Sequence, residues 1–109
     1  MMRTVRVLEA AAVEAAEAAV WYEERRKGLG AEFRSEFKFA LDRLREGILR
    51  GTPWPGRLGE RGVKRLLMQR FPFSVMFIAT GEAVTVVALA HHRRKPGYWR
   101  DRLGAGKGQ

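Results

Sequence analysis

There is no cysteine anywhere in the chain. That excludes disulfides and thiolate metal centres, and it fits a reducing compartment. No apolar run approaches the ~18 residues of a membrane span, so no membrane partner is expected. The opening, MMRTVRVLEA, lacks the apolar core of a signal peptide, and the expectation is a cytoplasmic protein. Histidine is confined to His91 and His92. With no spaced third ligand near them, a metal site is not supported. Walker loops, dinucleotide fingerprints and serine nucleophile elbows are also missing, and no cofactor is expected. Lysine is limited to Lys27, Lys38, Lys64, Lys95 and Lys107. Beyond Gly56 the only acidic residues are Glu60, Glu82 and Asp101.

What is present is a basic chain of 109 residues with net charge +9. The charge is uneven. Residues 1–56 hold 10 basic and 9 acidic residues, whereas residues 57–109 hold 11 basic and 3 acidic. The positive field therefore belongs to the second half. It suggests an anionic partner, either nucleic acid, a ribosome or an acidic protein segment. A solvated basic surface without a partner is the plain alternative. The length predicts one domain over residues 1–103, with GAGKGQ at 104–109 as a flexible tail.

Arg3 to Leu8 alternates and reads as a short half-buried strand. From Glu9 to about Lys27 the chain is rich in Ala and Glu and reads as a helix. Its small-residue face is expected at Ala12, Ala15, Ala19 and Tyr22, with Ala16 beside them and Glu14 and Glu17 opposite. Trp21 projects on the charged side, either covering a neighbour or contacting a partner. Gly28-Leu29-Gly30 stops this helix. A second runs from Ala31 to about Leu49, with an apolar stripe of Phe33, Phe37, Ala40, Leu41, Leu44 and Ile48. The short link makes the pair an antiparallel hairpin. Phe39 lies off the stripe and is either a partner contact or covered by the next loop.

Arg50 to Gly62, with four glycines and two prolines, reads as a loop anchored by Trp54. Val63–Gln69, Phe73–Ala79 and Ala83–Ala90 read as three strands. Phe71-Pro72-Phe73 separates the first two, and a Thr80-Gly81-Glu82 turn separates the last two. Short links make them an antiparallel meander. The fold class is α+β: an N-terminal strand, an antiparallel helix hairpin, then a three-stranded antiparallel meander. The middle strand is apolar on both faces, and the hairpin covers one. Either the C-terminal segment or a second protein covers the other.

The last strand organises the rest. Val84 to Ala90 has no Gly or Pro, and Pro96, without an amide donor, ends it. A rigid strand thus delivers His91, His92, Arg93, Arg94 and Lys95 to its tip, where sites are commonly built.

The order strand, helix, helix, three strands carries landmarks at set places. These are Trp21-Tyr22-Glu23, Gly28-Leu29-Gly30 with Phe33, Phe71-Pro72-Phe73, and His91-His92-Arg93-Arg94-Lys95-Pro96-Gly97-Tyr98-Trp99. Together they resemble the RelE/ParE superfamily of type II toxin–antitoxin toxins over Val5 to Arg102, and the ParE (plasmid stabilisation) branch in particular. The resemblance implies a small basic α+β toxin with a β-α-α-β-β-β order, neutralised by a cognate antitoxin whose extended part wraps it. ParE-type members inhibit DNA gyrase, whereas RelE-type members cut messenger RNA on the ribosome. A homodimer or a heterotetramer with the antitoxin is compatible with it.

RNA cleavage needs a base, an acid and cations for the phosphorane charge. If the chain is RelE-like, the candidates are Arg65, Arg70, His91, His92, Arg93 and Tyr98. The lysine-rich cluster of such nucleases is missing, and the Arg-Arg-x-Pro-x-Tyr-Trp ending matches the ParE pattern. The reading is therefore a non-catalytic inhibitor with no catalytic residues. Its candidate partner contacts are Trp21, Phe39, Arg65, Arg70, Arg93, Arg94, Tyr98 and Trp99. Each has a structural alternative: Arg65 and Arg70 as solvated strand charges, Tyr98 and Trp99 as a lid on the core. A third reading is a non-toxic antitoxin-binding module.

Overall fold

The computed structural model describes residues 2–104. The expected tail lies, from residue 105 onward, outside them. The order is β1 (Thr4–Val7), α1 (Glu9–Arg25), α2 (Leu29–Glu46), β2 (Thr52–Pro53), α3 (Arg57–Glu60), β3 (Val63–Leu67), β4 (Phe73–Thr80) and β5 (Ala83–His91), followed by a 3-10 turn at Arg100–Arg102. The α+β class and the meander expected from the sequence are present. The five strands form one sheet in the order β1-β5-β4-β3-β2. β1 pairs parallel with β5, with Val5 opposite Val84, and the other pairings are antiparallel. The stretch read as a plain loop contains β2 and α3, each too short to show periodicity.

The helix hairpin packs on one face of the sheet. The face of α1 is turned from the expected one: Ala11, Ala15, Ala18 and Ala19 are buried, and Ala12 is exposed. An alanine helix has little contrast between its sides, so packing sets its rotation. Against α1 lie Phe33 and Leu44 of α2, both buried, with Phe37 and Leu41 partly so. Ile48 does not belong to the stripe and is 57% exposed. Gly47, at φ +78°, ends α2 in the left-handed conformation first. Gly30 allows the close crossing of the helices. A Cβ there would stand 2.5 Å from the Ala19 carbonyl oxygen. Glu23 accepts hydrogen bonds from the Gly28 and Gly30 N–H groups at 2.9 and 3.0 Å, satisfying donors left open at the start of α2.

Under the hairpin, Phe33 packs edge-on to Phe71 and Phe73, with centroids 5.0 and 5.2 Å apart, and Tyr22 stacks on Phe33 at 5.4 Å. Burial raises the Tyr22 phenol above its usual value. The second face of the sheet has its own core of Val63, Met76, Val87, Ala88 and Trp99. The chain itself supplies that cover. Trp99 is 1% exposed, stands edge-on to Trp54 at 5.1 Å, and is joined by Leu103 and Leu58. Trp99, expected among the partner contacts, is therefore corrected to a core residue: its indole closes the second face.

Between β4 and β5 the register slips. Met76 faces Ala88 but Phe77 faces Val86, leaving Val87 as an extra residue in β5. After such a bulge the alternation of side chains is inverted. The tip of β5 is set by this one insertion.

Candidate functional site

The bulge decides which of the two histidines falls on which face. His91 falls on the helix side, edge-on to Phe73 with centroids 4.9 Å apart. Its Nδ1 accepts the Arg93 backbone N–H at 3.0 Å. Partial burial, then the charges of Arg93 and His92, hold its pKa below the usual value. A neutral ring with its proton on Nε2 suits that bond. His92 falls on the second face, its Nε2 3.0 Å from Ser74 Oγ. Both histidines nonetheless line each of the two concavities beside the tip.

On the helix side, a groove of about 740 Å³ runs between α1 and the end of β5. Ala18, Trp21, Tyr22, Phe73 and Leu89 give it an apolar lining. Glu14 and Glu17 stand in its wall, and His91, Arg93 and Arg94 also line it. Trp21, a predicted partner contact, is 51% exposed here, with the Arg25 guanidinium 3.6 Å from its ring centre. Arg93 and Arg94 are exposed and make no salt bridge among the described residues.

A smaller concavity of about 170 Å³ lies on the second face. It brings together Arg65, Ser74, His91, His92, Arg94, Lys95 and Tyr98, and among the described residues no carboxylate lines it. Four of the candidate nuclease residues, Arg65, His91, His92 and Tyr98, thus share one site.

Tyr98 does not enter it as a free phenol. Its hydroxyl donates to Glu14 Oε2 at 2.7 Å. Burial, followed by that bond and the carboxylate's charge, raises its pKa far above the usual tyrosine value. Glu14 also accepts two parallel bonds from Arg102, each 2.9 Å, and the Leu89 N–H at 3.0 Å. The bond to Glu14 raises the Arg102 pKa further. Arg102 in turn donates to the Val87 carbonyl at the bulge, at 3.1 Å. The sequence pattern puts Glu14 on the side of α1 opposite its small-residue face and marks neither it nor Arg102 as a functional residue. Their one signal was that Glu14 lies three residues from Ala11 and four from Ala18, on the border of the face that is buried.

Arg70 and Phe39 stand apart from both concavities. Arg70 donates to Glu32, and this pairing raises the Arg70 pKa and lowers that of Glu32. Glu36 Oε2 accepts the Gln69 and Arg70 backbone N–H groups at 2.6 and 3.2 Å, tying the β3–β4 turn to α2. Arg70, a candidate for catalysis and for partner contact, thus lies apart from the other candidates, with its guanidinium on Glu32 of α2. Phe39 is 54% exposed rather than covered by the following loop, with the Arg43 guanidinium 4.5 Å from its ring centre.

Among the described residues, no group of three or more His, Cys, Asp or Glu is placed to hold a metal ion. No helix there is long and apolar enough to cross a membrane.

No protein-family model matches this sequence. No curated protein matches it. The fold is nonetheless shared with a solved structure. A chain of "Chromosomal ParDE TA system from P. aeruginosa" superposes with a TM-score of 0.68, covering 83% of this chain and 96% of that one at 17% identity. The fold of this chain is thus that of the matched ParDE chain, and its α+β class is the one expected from the sequence.

Proposed function

We propose that this chain is the toxin of a two-protein toxin–antitoxin pair, neutralised by a cognate antitoxin, and that it inhibits DNA gyrase by binding rather than by catalysis. Two features support the first part. The fold matches a chain whose solved structure is described as a ParDE toxin–antitoxin system. The groove beside α1 joins an apolar floor to exposed Arg93 and Arg94, which suits an amphipathic, acidic partner segment.

The observation that carries the second part is the state of the acid–base groups. Tyr98 keeps its proton and donates a hydrogen bond to Glu14. Arg70 is engaged by Glu32 away from the tip. General acid–base cleavage wants its groups within reach of one scissile bond. A binding inhibitor has no such requirement.

Titrating the purified protein into a gyrase supercoiling reaction tests this. Supercoiling should fall, and the protein encoded beside this one should restore it. Undiminished supercoiling at excess protein would overturn the gyrase assignment.

One feature favours a second reading, cleavage of messenger RNA on the ribosome. Among the described residues, the concavity with Arg65, Ser74, His92, Arg94 and Lys95 has no carboxylate to repel a phosphate. Codon-phased cuts seen by primer extension in expressing cells would select that reading.

A further inference from the structure

Glu14 joins three parts of the fold that otherwise meet only at an edge. β1 ends at Val7, opposite Val86, whereas β5 continues to His91. Past Val86, no strand among the described residues lies beside the outer edge of β5. An unpaired strand edge near the surface leaves backbone groups in need of partners. Glu14, from α1, takes the Leu89 N–H, and Arg102, from the C-terminal turn, takes the Val87 carbonyl. The two side chains then close on each other in a bidentate ion pair, with Glu14 only 13% exposed. α1 lies on one face of the sheet and Trp99 on the other. The Glu14–Arg102 pair therefore crosses the sheet edge like a clasp.

The clasp also reaches the tip. Tyr98 donates its hydroxyl to Glu14, which fixes the ring. On that ring lies the Arg94 guanidinium, 3.8 Å from its centre. Among the described residues, Arg94 is the one cation lining both the groove beside α1 and the concavity on the second face. Its long side chain has many rotamers in water, and a fixed aromatic platform removes most of them.

We propose that Glu14 is a positioning residue: by holding Tyr98 and Arg102, it fixes Arg94 at the junction of the two recognition surfaces. Its effect on activity rests on the toxin reading above; its effect on the placement of Arg94 does not.

The test uses the full chain carrying Glu14→Gln, which keeps the shape and removes the charge. The first readout is independent of function. Stacking on Tyr98 shifts the Arg94 side-chain protons upfield by ring current, and the variant should lose that shift while circular dichroism stays unchanged. Persistence of the shift would overturn the proposal. The second readout is gyrase inhibition and antitoxin affinity, each expected to fall tenfold or more. Arg94→Ala should produce a similar loss, and the double variant should be no worse than Arg94→Ala alone. Additive losses would show that Glu14 acts through general stability instead, and a lost ring shift with unchanged affinity would remove its functional role. If the parent protein neither inhibits gyrase nor binds its antitoxin, the toxin reading fails and the ring shift alone decides whether Glu14 places Arg94. Should Glu14→Gln fail to fold, Tyr98→Phe removes one bond and leaves the ion pair. A smaller loss of the same shift is then expected, and no change would count against the proposal.

Discussion

His91 and His92 are neighbours in the chain, yet His91 packs edge-on to Phe73 on the helix side while His92 Nε2 meets Ser74 Oγ on the opposite face. Strict alternation from Val84 would place His92, not His91, with the helices. The extra residue Val87 reverses that order. One inserted residue thus puts a half-buried imidazole in the groove wall and leaves an exposed one beside Arg65 in the second concavity.

The buried placement of His91 has a pH signature. Its folded pKa lies below the unfolded value of about 6.5, because burial and the nearby Arg93 oppose protonation. The unfolded chain then binds more protons between the two values, so stability rises with pH through that interval. The contribution is complete above about pH 6.5 and is lost as pH falls through the folded value. Urea midpoints measured from acid to neutral pH should show this rise. His91→Phe, which keeps the ring packing and cannot titrate, should flatten it. An equal slope in both proteins would place the titration elsewhere.

Arg93 and Arg94 are exposed, and neither supports the core. Charge reversal at either, Arg93→Glu or Arg94→Glu, should leave the circular dichroism spectrum intact and weaken antitoxin binding tenfold or more. The loss should be largest at low ionic strength, where long-range attraction is least screened. A variant that binds normally would remove the cationic tip from the interface. A variant that loses secondary structure would make these arginines structural.

Much of this fold was legible because its strands are chemically plain. Val84 to Ala90 is strongly β-prone, and Phe71-Pro72 interrupts the chain where β4 begins. The second helix revealed Phe33 and Leu44 because large apolar residues there recur at helical spacing. The first hid its orientation, since alanines on several sides give no such contrast. β1's place beside β5 is a long-range pairing that no local pattern records. The site was legible only by residue type. The sequence brought Arg93, Arg94 and Tyr98 to one tip, but the partner of Tyr98 lies 84 positions earlier, on α1. Trp99 shows the reverse: an aromatic beside a cationic run looked like a contact and is instead the cover of a second core.

The face of α2 can be checked by contrast. Leu44 is 1% exposed within the helix-side core, and Leu44→Ala should cost roughly 2–5 kcal/mol. Ile48, expected on the same stripe, lies past the Gly47 cap and faces solvent. Ile48→Ala should cost no more than about 0.5 kcal/mol. Denaturant titrations of the two variants under identical conditions decide the matter, and equal losses would restore Ile48 to the core.

Gly30 offers a test of how closely the two helices approach. Replacing glycine by alanine inside a helix ordinarily stabilises it by up to ~1 kcal/mol. Here the new methyl would stand 2.5 Å from the Ala19 carbonyl oxygen and 3.0 Å from a Glu23 carboxylate oxygen. The first obstacle is backbone in the middle of α1, so relief requires the helices to separate. Overpacking of that kind costs roughly 1–3 kcal/mol, enough to outweigh the propensity gain. The carboxylate that accepts the Gly28 and Gly30 N–H groups would also be displaced. Gly30→Ala should therefore lower the melting temperature. Gly104→Ala, in an exposed position after the last turn, should leave it unchanged. A Gly30→Ala protein that melts at or above the parent temperature would mean that the hairpin is packed less tightly than these distances require.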